Sequence, residues 1–230
     1  MRGVSKSVMK VVTGAFVTAC AAVAFASAGG AGISADEALK NLLEGNKRYC
    51  DGQLTGVKQC DAPARDKLSK SQKPYAIVLS CSDSRVPPEL IFDEGLGEIF
   101  VVRVAGNIPD PVVLGSIEYA AEHLGSPLIM VLGHERCGAV NATVNAKGKP
   151  EGNIGAIVKT ISPAVKQARK DCAGAETAAL VECAIEKNVK MVASNLTKKS
   201  KVIDHLVKEG KVRIVTAKYD LDDGKVSLLK

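Results

Sequence analysis

The sequence predicts an α/β fold: a central, mostly parallel β-sheet flanked by helices, with an N-terminal helical arm and a C-terminal hairpin. Three observations carry this expectation. Four short runs dense in Val and Ile, at 75–80, 99–104, 128–132 and 212–217, are bounded by Gly, Pro or charged residues. Uninterrupted apolar runs of this length fit parallel strands covered on both faces. Helical patterns lie between the runs, and strands alternating with helices imply a parallel sheet. Last, 212–220 and 225–229 flank Asp222-Asp223-Gly224, the signature of a terminal hairpin.

Taken in order, residues 1–28 stand apart from the rest. Arg2, Lys6 and Lys10 give a positive start, an apolar stretch covers 11–25, and Ala26-Ser27-Ala28 has the small-x-small form of a cleavage site. This predicts a signal peptide cleaved near Ala28 and a periplasmic or secreted protein. Gly14 and Thr18 interrupt the stretch, which disfavours a permanent span. A second reading rests on Val17-Thr18-Ala19-Cys20, which resembles a bacterial lipoprotein signal and would leave a lipid anchor at Cys20. The apolar residues after Cys20, where a polar tether is usual, weigh against it. Residues 29–230 form one domain, without internal repeats or a low-complexity linker.

That domain is predicted to begin with a helix. Ser34 followed by Glu37 is a capping-box pattern, and Leu39, Leu42 and Leu43 supply an apolar stripe ahead of Gly45. Residues 51–73 are polar and rich in Gly, Lys and Asp, and read as a connecting loop. Pro111 opens a helix running to Leu124, with Val113, Ile117, Ala121 and Leu124 along one face. Ile154, Ile157, Val158, Ile161 and Val165 mark another, and Val181, Ile185, Val189, Val192 and Leu196 a third.

Charge excludes one class of partner. The formal net charge of +6 falls to +3 once the three basic residues of 1–28 are removed, and the remaining lysines are scattered. Nucleic-acid binding needs a concentrated basic face, and none is visible. Beyond 1–28 no apolar segment approaches membrane length, so no membrane association is expected unless the chain is anchored at Cys20.

The chemistry concentrates at two strand ends. Cys81 opens CSDSR (81–85) directly after the first apolar run, and His134 and Cys137 lie in GHERCG (133–138) directly after the third. In a parallel sheet, ligand-binding groups gather at the carboxyl ends of strands, so both motifs reach the same edge. Two thiolates and an imidazole satisfy three of the four positions zinc prefers, and three protein ligands leave one open for water, as in a catalytic site. Ordinary buried packing accounts for any one of these residues. It does not account for Asp83 and Arg85, because charges beside a core are costly unless paired or near a metal. Four further cysteines fall into two close pairs, 50/60 and 172/183. In an oxidising compartment such pairs form disulfides; the alternative is four buried thiols.

CSDSRVPPEL (81–90), VVRVAGN (101–107), GSIEYA (115–120) and GHERCGAV (133–140) together resemble the β-class carbonic anhydrases. The resemblance spans essentially all of 29–230. It implies Zn2+ held by Cys81, His134 and Cys137, an Asp83–Arg85 catalytic dyad, and carbon dioxide and bicarbonate as substrates. It also implies a homodimer or dimer-based oligomer, with the leading helices gripping the partner and the cleft at the subunit interface.

On that reading zinc lowers the pKa of its water, and zinc-bound hydroxide attacks carbon dioxide to give bicarbonate and a proton. The value of about 7 for such water belongs to three-histidine sites and does not transfer unchanged. Two thiolates leave a less positive centre than three imidazoles, so activity is expected to be higher at alkaline pH. Asp83, held by Arg85, can aim the hydroxide; with Arg85 swung away it can instead become a fourth zinc ligand in an inactive state. Family members with a bicarbonate-controlled switch carry Trp three residues before the first zinc cysteine, where this chain has Val78. Gly106 and Gly138 are candidates to line the pocket, with turns and helix packing as the alternative. His123 and His205 are proton-shuttle candidates by chemistry, though surface placement without function is the better reading of both. Gly133 to Gly138 spells G-x-x-x-x-G, but no Lys follows, so it is no phosphate loop. The competing readings are hydrolysis of carbon disulfide or carbonyl sulfide by the same site, and a non-catalytic zinc protein, which would not need Asp83 and Arg85.

Overall fold

The computed structural model describes residues 32–56, 60–148, 150 and 152–230. The predicted signal peptide and Cys20 lie outside these residues. Five strands form one sheet: β1 (Ala76–Ser80), β2 (Ile99–Arg103), β3 (Leu128–His134), β4 (Arg213–Tyr219) and β5 (Val226–Leu228), in the spatial order β2-β1-β3-β4-β5. The pairs β1–β2, β1–β3 and β3–β4 are parallel, and β4–β5 is the antiparallel hairpin. The predicted fold class therefore holds, including the helical arm and the terminal hairpin.

The apolar runs of β1 and β3 become strands because both faces are covered. Alternate residues of β1 and β3 enter two separate cores: Val78 and Met130 on one face, Ile77, Leu79, Ile129 and Val131 on the other. Ile77, Val78 and Leu79 are fully buried, each contributing about 1.5–3 kcal/mol relative to exposure. The first face is covered by α1 (Ala35–Cys50), α5 (Gly138–Val144), α6 (Ile154–Asp171) and the first half of α7 (Thr177–Lys199). The second is covered by α4 (Pro111–Glu118), the rest of α7 and α8 (Lys201–Lys208). Helix α4 runs on as one wider turn through Tyr119–His123. At Gly133 an added Cβ would stand 2.4 Å from Val189 Cγ2, so glycine lets α7 press against the end of β3, just ahead of His134.

Ser34 caps α1, its hydroxyl accepting from the Glu37 N–H at 3.1 Å. Near the other end of α1, Asn46 is buried and donates through Nδ2 to the carbonyls of Ile91 (3.1 Å) and Gly224 (2.9 Å). Its Oδ1 accepts from Val226 N at 2.8 Å. One amide thus ties the leading helix to α3 (Pro88–Ile91) and to the terminal hairpin.

Two expectations need correction. The stretch 51–73 is not all loop: α2 (Ala62–Leu68) lies within it, capped by Asp61 and started by proline. It buries no residue, so it carries no apolar stripe to betray it. Of the two cysteine pairs, Cys172 and Cys183 are bonded, joining the end of α6 to α7. Cys50 and Cys60 are exposed free thiols. Cys50 Sγ turns back along α1 toward Asn46 Oδ1 (4.0 Å) and Cys60 Sγ toward Gly56 O (3.6 Å), so closeness in sequence does not bring the sulfurs together. Among the described residues no helix is long and apolar enough to cross a membrane.

Candidate metal centre

The carboxyl ends of β1 and β3 do deliver their side chains to one place. Cys81 follows β1 directly, His134 is the last residue of β3, and Cys137 caps the start of α5. Their ligand atoms all lie within 4.8 Å of one another, and all three residues are buried. The connection from β3 to α5 turns sharply at Arg136 (φ 51°), which brings Cys137 back beside His134.

The donor chemistry fits a zinc ion. His134 Nδ1 lies 2.8 Å from Glu135 O. A carbonyl only accepts, so Nδ1 carries the proton and Nε2 presents a lone pair. That Nε2 is buried and has no hydrogen-bond partner among the described residues, a costly state for an imidazole unless a cation takes the lone pair. The two thiols act on each other: the hydrogen bond from Cys137 pulls the Cys81 pKa down, and Cys81 together with burial pushes that of Cys137 up. The N–H of Gly106, at 3.4 Å, also favours the Cys81 thiolate. Two buried cysteine sulfurs and an imidazole lone pair within 4.8 Å of one another are the soft sulfur and nitrogen donors that zinc selects.

Asp83 stands at the rim of this cluster. Arg85 grips it in a fork, Nε to Oδ1 at 3.0 Å and Nη2 to Oδ2 at 2.8 Å, and the Arg85 N–H adds a third bond at 3.0 Å. These bonds, led by the guanidinium, hold the Asp83 carboxyl well below the usual carboxylate range. Its Oδ2 is 3.9 Å from His134 Nε2, so the carboxylate faces the nitrogen that would hold the metal.

Of the residues singled out in the sequence, Cys81, Asp83, Arg85, His134 and Cys137 are brought together. Gly106 joins them through its amide at φ 73°, a conformation glycine adopts freely. Gly138 begins α5, and a Cβ there would meet nothing within 4 Å, so close packing does not require glycine at that position. His123 ends the α4 turn ahead of β3, against the Tyr119 ring, and His205 lies on α8 ahead of β4. Both therefore sit toward the amino ends of the strands, the opposite edge from the cluster.

Two contributors escaped sequence reasoning. Arg103 reaches from the end of β2 to the carbonyls of Cys81 (2.9 Å) and Asp83 (2.6 Å). Asn188 is buried in α7 and donates to Gly106 O at 3.0 Å, fixing the residue whose N–H faces Cys81. Each left a signal: a charged residue closing an apolar run, and a polar residue between Ile185 and Val189 on an apolar helix face.

With this geometry in view, likeness to known proteins can be placed on particular residues. A model of the carbonic anhydrase family matches residues 76–226, the stretch from β1 to β5 that carries the cluster. Carbonic anhydrase 2 of Mycobacterium tuberculosis is 40% identical over 194 residues, spanning 83% of this chain and 91% of that protein. A carbonic anhydrase of Mycolicibacterium smegmatis is 41% identical over the same shares. Among solved structures, the Coccomyxa β-carbonic anhydrase superposes with a TM-score of 0.69 at 27% identity, covering 83% of this chain and 86% of that one. The chain belongs to the carbonic anhydrase family, in its β class.

Proposed function

We propose that this protein catalyses the reversible hydration of carbon dioxide to bicarbonate and a proton, with zinc held by Cys81, His134 and Cys137. The observation that carries the reading is the buried, unpartnered His134 Nε2 facing two cysteine sulfurs within 4.8 Å. Zinc bound there supplies the Lewis acidity that makes water a nucleophile near neutral pH.

The chain's own residues do the rest. Asp83 Oδ2 accepts a hydrogen bond from the attacking water and aims its lone pair at the carbon of carbon dioxide. Because the carboxyl is held below its ordinary range, it stays ionised throughout and orients the nucleophile rather than taking up its proton. Arg85 fixes the carboxylate plane from outside, and the fork keeps Asp83 from turning inward as a metal ligand.

Stopped-flow carbon dioxide hydration by the purified protein, with zinc content measured in parallel, tests the reading. One zinc per chain and a rate that climbs from pH 6.5 to 9 are expected. Full activity in Cys81→Ser ends it.

We also read the chain as exported, with residues 1–28 as its signal peptide and Cys20 as the anchor point if a lipid remains. The Cys172–Cys183 bond supports an oxidising compartment. The reading extends to a homodimer or dimer-based oligomer, as the resemblance implies. Cell fractionation, intact mass and light scattering test these points; a cytoplasmic chain retaining its first 28 residues defeats the export reading.

A further inference from the structure

We propose that Arg103 is a positioning residue that carries strand pairing past the end of the sheet and thereby fixes both Cys81 and Asp83. This rests on the reading of Asp83 as the group that orients the nucleophile. The β1–β2 ladder ends at the pair Ser80 and Arg103, with a last main-chain bond from Val104 N to Ser80 O at 3.1 Å. Beyond that point no strand among the described residues pairs with the 81–85 loop. The Arg103 side chain does so instead. Nε donates to Cys81 O at 2.9 Å and Nη2 to Asp83 O at 2.6 Å. The second carbonyl also accepts from Val86 N at 3.1 Å, so the guanidinium clamps the tight turn that Asp83 opens.

The geometry explains why the residue is arginine. Two carbonyls, two residues apart, are met by two N–H groups of one rigid plane, which a lysine ammonium on a flexible stem cannot reproduce. Both clamped residues carry their chemistry on the side chain: the sulfur of Cys81 faces His134 and Cys137, and the carboxylate of Asp83 faces His134 Nε2 at 3.9 Å. A loop free to shift would move both at once. Arg85 cannot prevent this, because it belongs to the same loop as Asp83 and moves with it. Arg103, rooted in a strand, supplies the external reference. Its side-chain bonds go to these two main-chain carbonyls, so it acts on Cys81 and Asp83 through the backbone.

The test uses the full-length zinc-loaded protein with Arg103→Lys, Arg103→Ala and, as a control on the underlying reading, Asp83→Asn. Arg103→Lys is expected to lose about tenfold in kcat with KM little changed, and to weaken zinc binding by about tenfold in competition with a chromophoric chelator. Hydrogen exchange of the 82–86 amides should accelerate in both Arg103 variants, while amides in β3 keep their protection. Millimolar guanidine derivatives should restore part of the kcat of Arg103→Ala and none of that of Asp83→Asn. Wild-type kcat and unchanged 82–86 exchange in Arg103→Lys overturn the proposal, as does equal loosening of the loop and β3 with no guanidine rescue. Full activity in Asp83→Asn overturns the reading of Asp83 and this proposal with it. Impairment of Asp83→Asn beside intact Arg103 variants overturns the proposal alone.

Discussion

Two arginine–aspartate forks of almost the same dimensions belong to the two loops that form the metal centre. Arg85 grips Asp83 with bonds of 3.0 and 2.8 Å, and Arg136 grips Asp222 with bonds of 3.0 and 2.8 Å. Both arginine side chains are 52% exposed. The aspartates differ: Asp83 is 18% exposed and 3.9 Å from His134 Nε2, whereas Asp222 is 75% exposed on the hairpin turn. A fork is therefore not a sign of function by itself. What the carboxylate faces, and how much water surrounds it, decides whether the pair orients chemistry or merely decorates a surface.

The largest effect should come from the ligands that both loops serve. Cys81→Ser and Cys137→Ser are each expected to abolish stoichiometric zinc and reduce hydration to the uncatalysed rate, read by metal analysis and stopped-flow. Equal losses establish that the two loops contribute to one centre; survival of either variant separates them. Next in size, Asp83→Asn should keep its zinc yet lose about a hundredfold in kcat/KM, since the amide cannot serve as the same acceptor. That contrast, zinc retained and rate lost, distinguishes the fork that faces the ligands from the ligands themselves.

Much of this centre was legible in the sequence, and the boundary of legibility has a physical cause. The strands declared themselves because fully buried β1 and β3 need continuous Val, Ile and Leu. The ligands declared themselves because parallel strands deliver side chains to one edge. Residues that hold the ligands were silent. Arg103, Asn188 and Asn46 act on main-chain carbonyls and amides that are distant in sequence, or on a neighbouring loop, and any residue type offers such a partner. Helix α2 was silent because it buries no residue, and the Cys50/Cys60 pair misled because spacing says nothing about where two sulfurs point.

Asn46 shows why the second fork can be spared. It anchors the same hairpin from inside, through Gly224 O and Val226 N, besides holding Ile91 O. Asn46→Ala leaves those buried groups unpaired and should cost about 2–3 kcal/mol in urea unfolding, with kcat changed little. A hairpin that stays equally stable without Asn46 would return importance to the Arg136–Asp222 fork.

A third arginine–aspartate pair extends the comparison into the interior. Arg48 Nε donates to Asp93 Oδ2 at 2.5 Å, and the Asp93 side chain is fully buried. Burial pushes its pKa up, but Arg48, the N–H groups of Gly56 and Thr55, and the Thr55 hydroxyl outweigh this and hold it at about 2. A folded value below the unfolded one gives stability that is present above about pH 4 and is lost as pH falls through 2, amounting to about 2 kcal/mol. Its neighbour Glu94 runs the other way: burial, then Glu98, raise it to about 8, so its contribution is present below pH 4.5 and fades as pH rises through 8. Subtracting the unfolding curve of Asp93→Asn from wild type should isolate the acid limb, and that of Glu94→Gln the alkaline one. Limbs in the reverse order would contradict both assignments.

The smallest effect is expected at the fork that resembles the functional one most. Asp222→Asn removes a salt bridge whose carboxylate is mostly in water, and the Arg136 N–H still has Glu182 Oε1 at 2.8 Å to hold the turn before Cys137. Exposed pairs of this kind contribute little to stability, so the unfolding midpoint should barely move and kcat/KM should change by less than about twofold. Raising salt from 0.05 to 0.5 M should shrink even that difference, because screening acts on charges in water and spares those shielded beside the metal. A loss in Asp222→Asn approaching that of Asp83→Asn would mean that the second loop needs its outer grip as much as the first. The distinction between the two forks would then lie in the path of the chain rather than in the surroundings of the carboxylate.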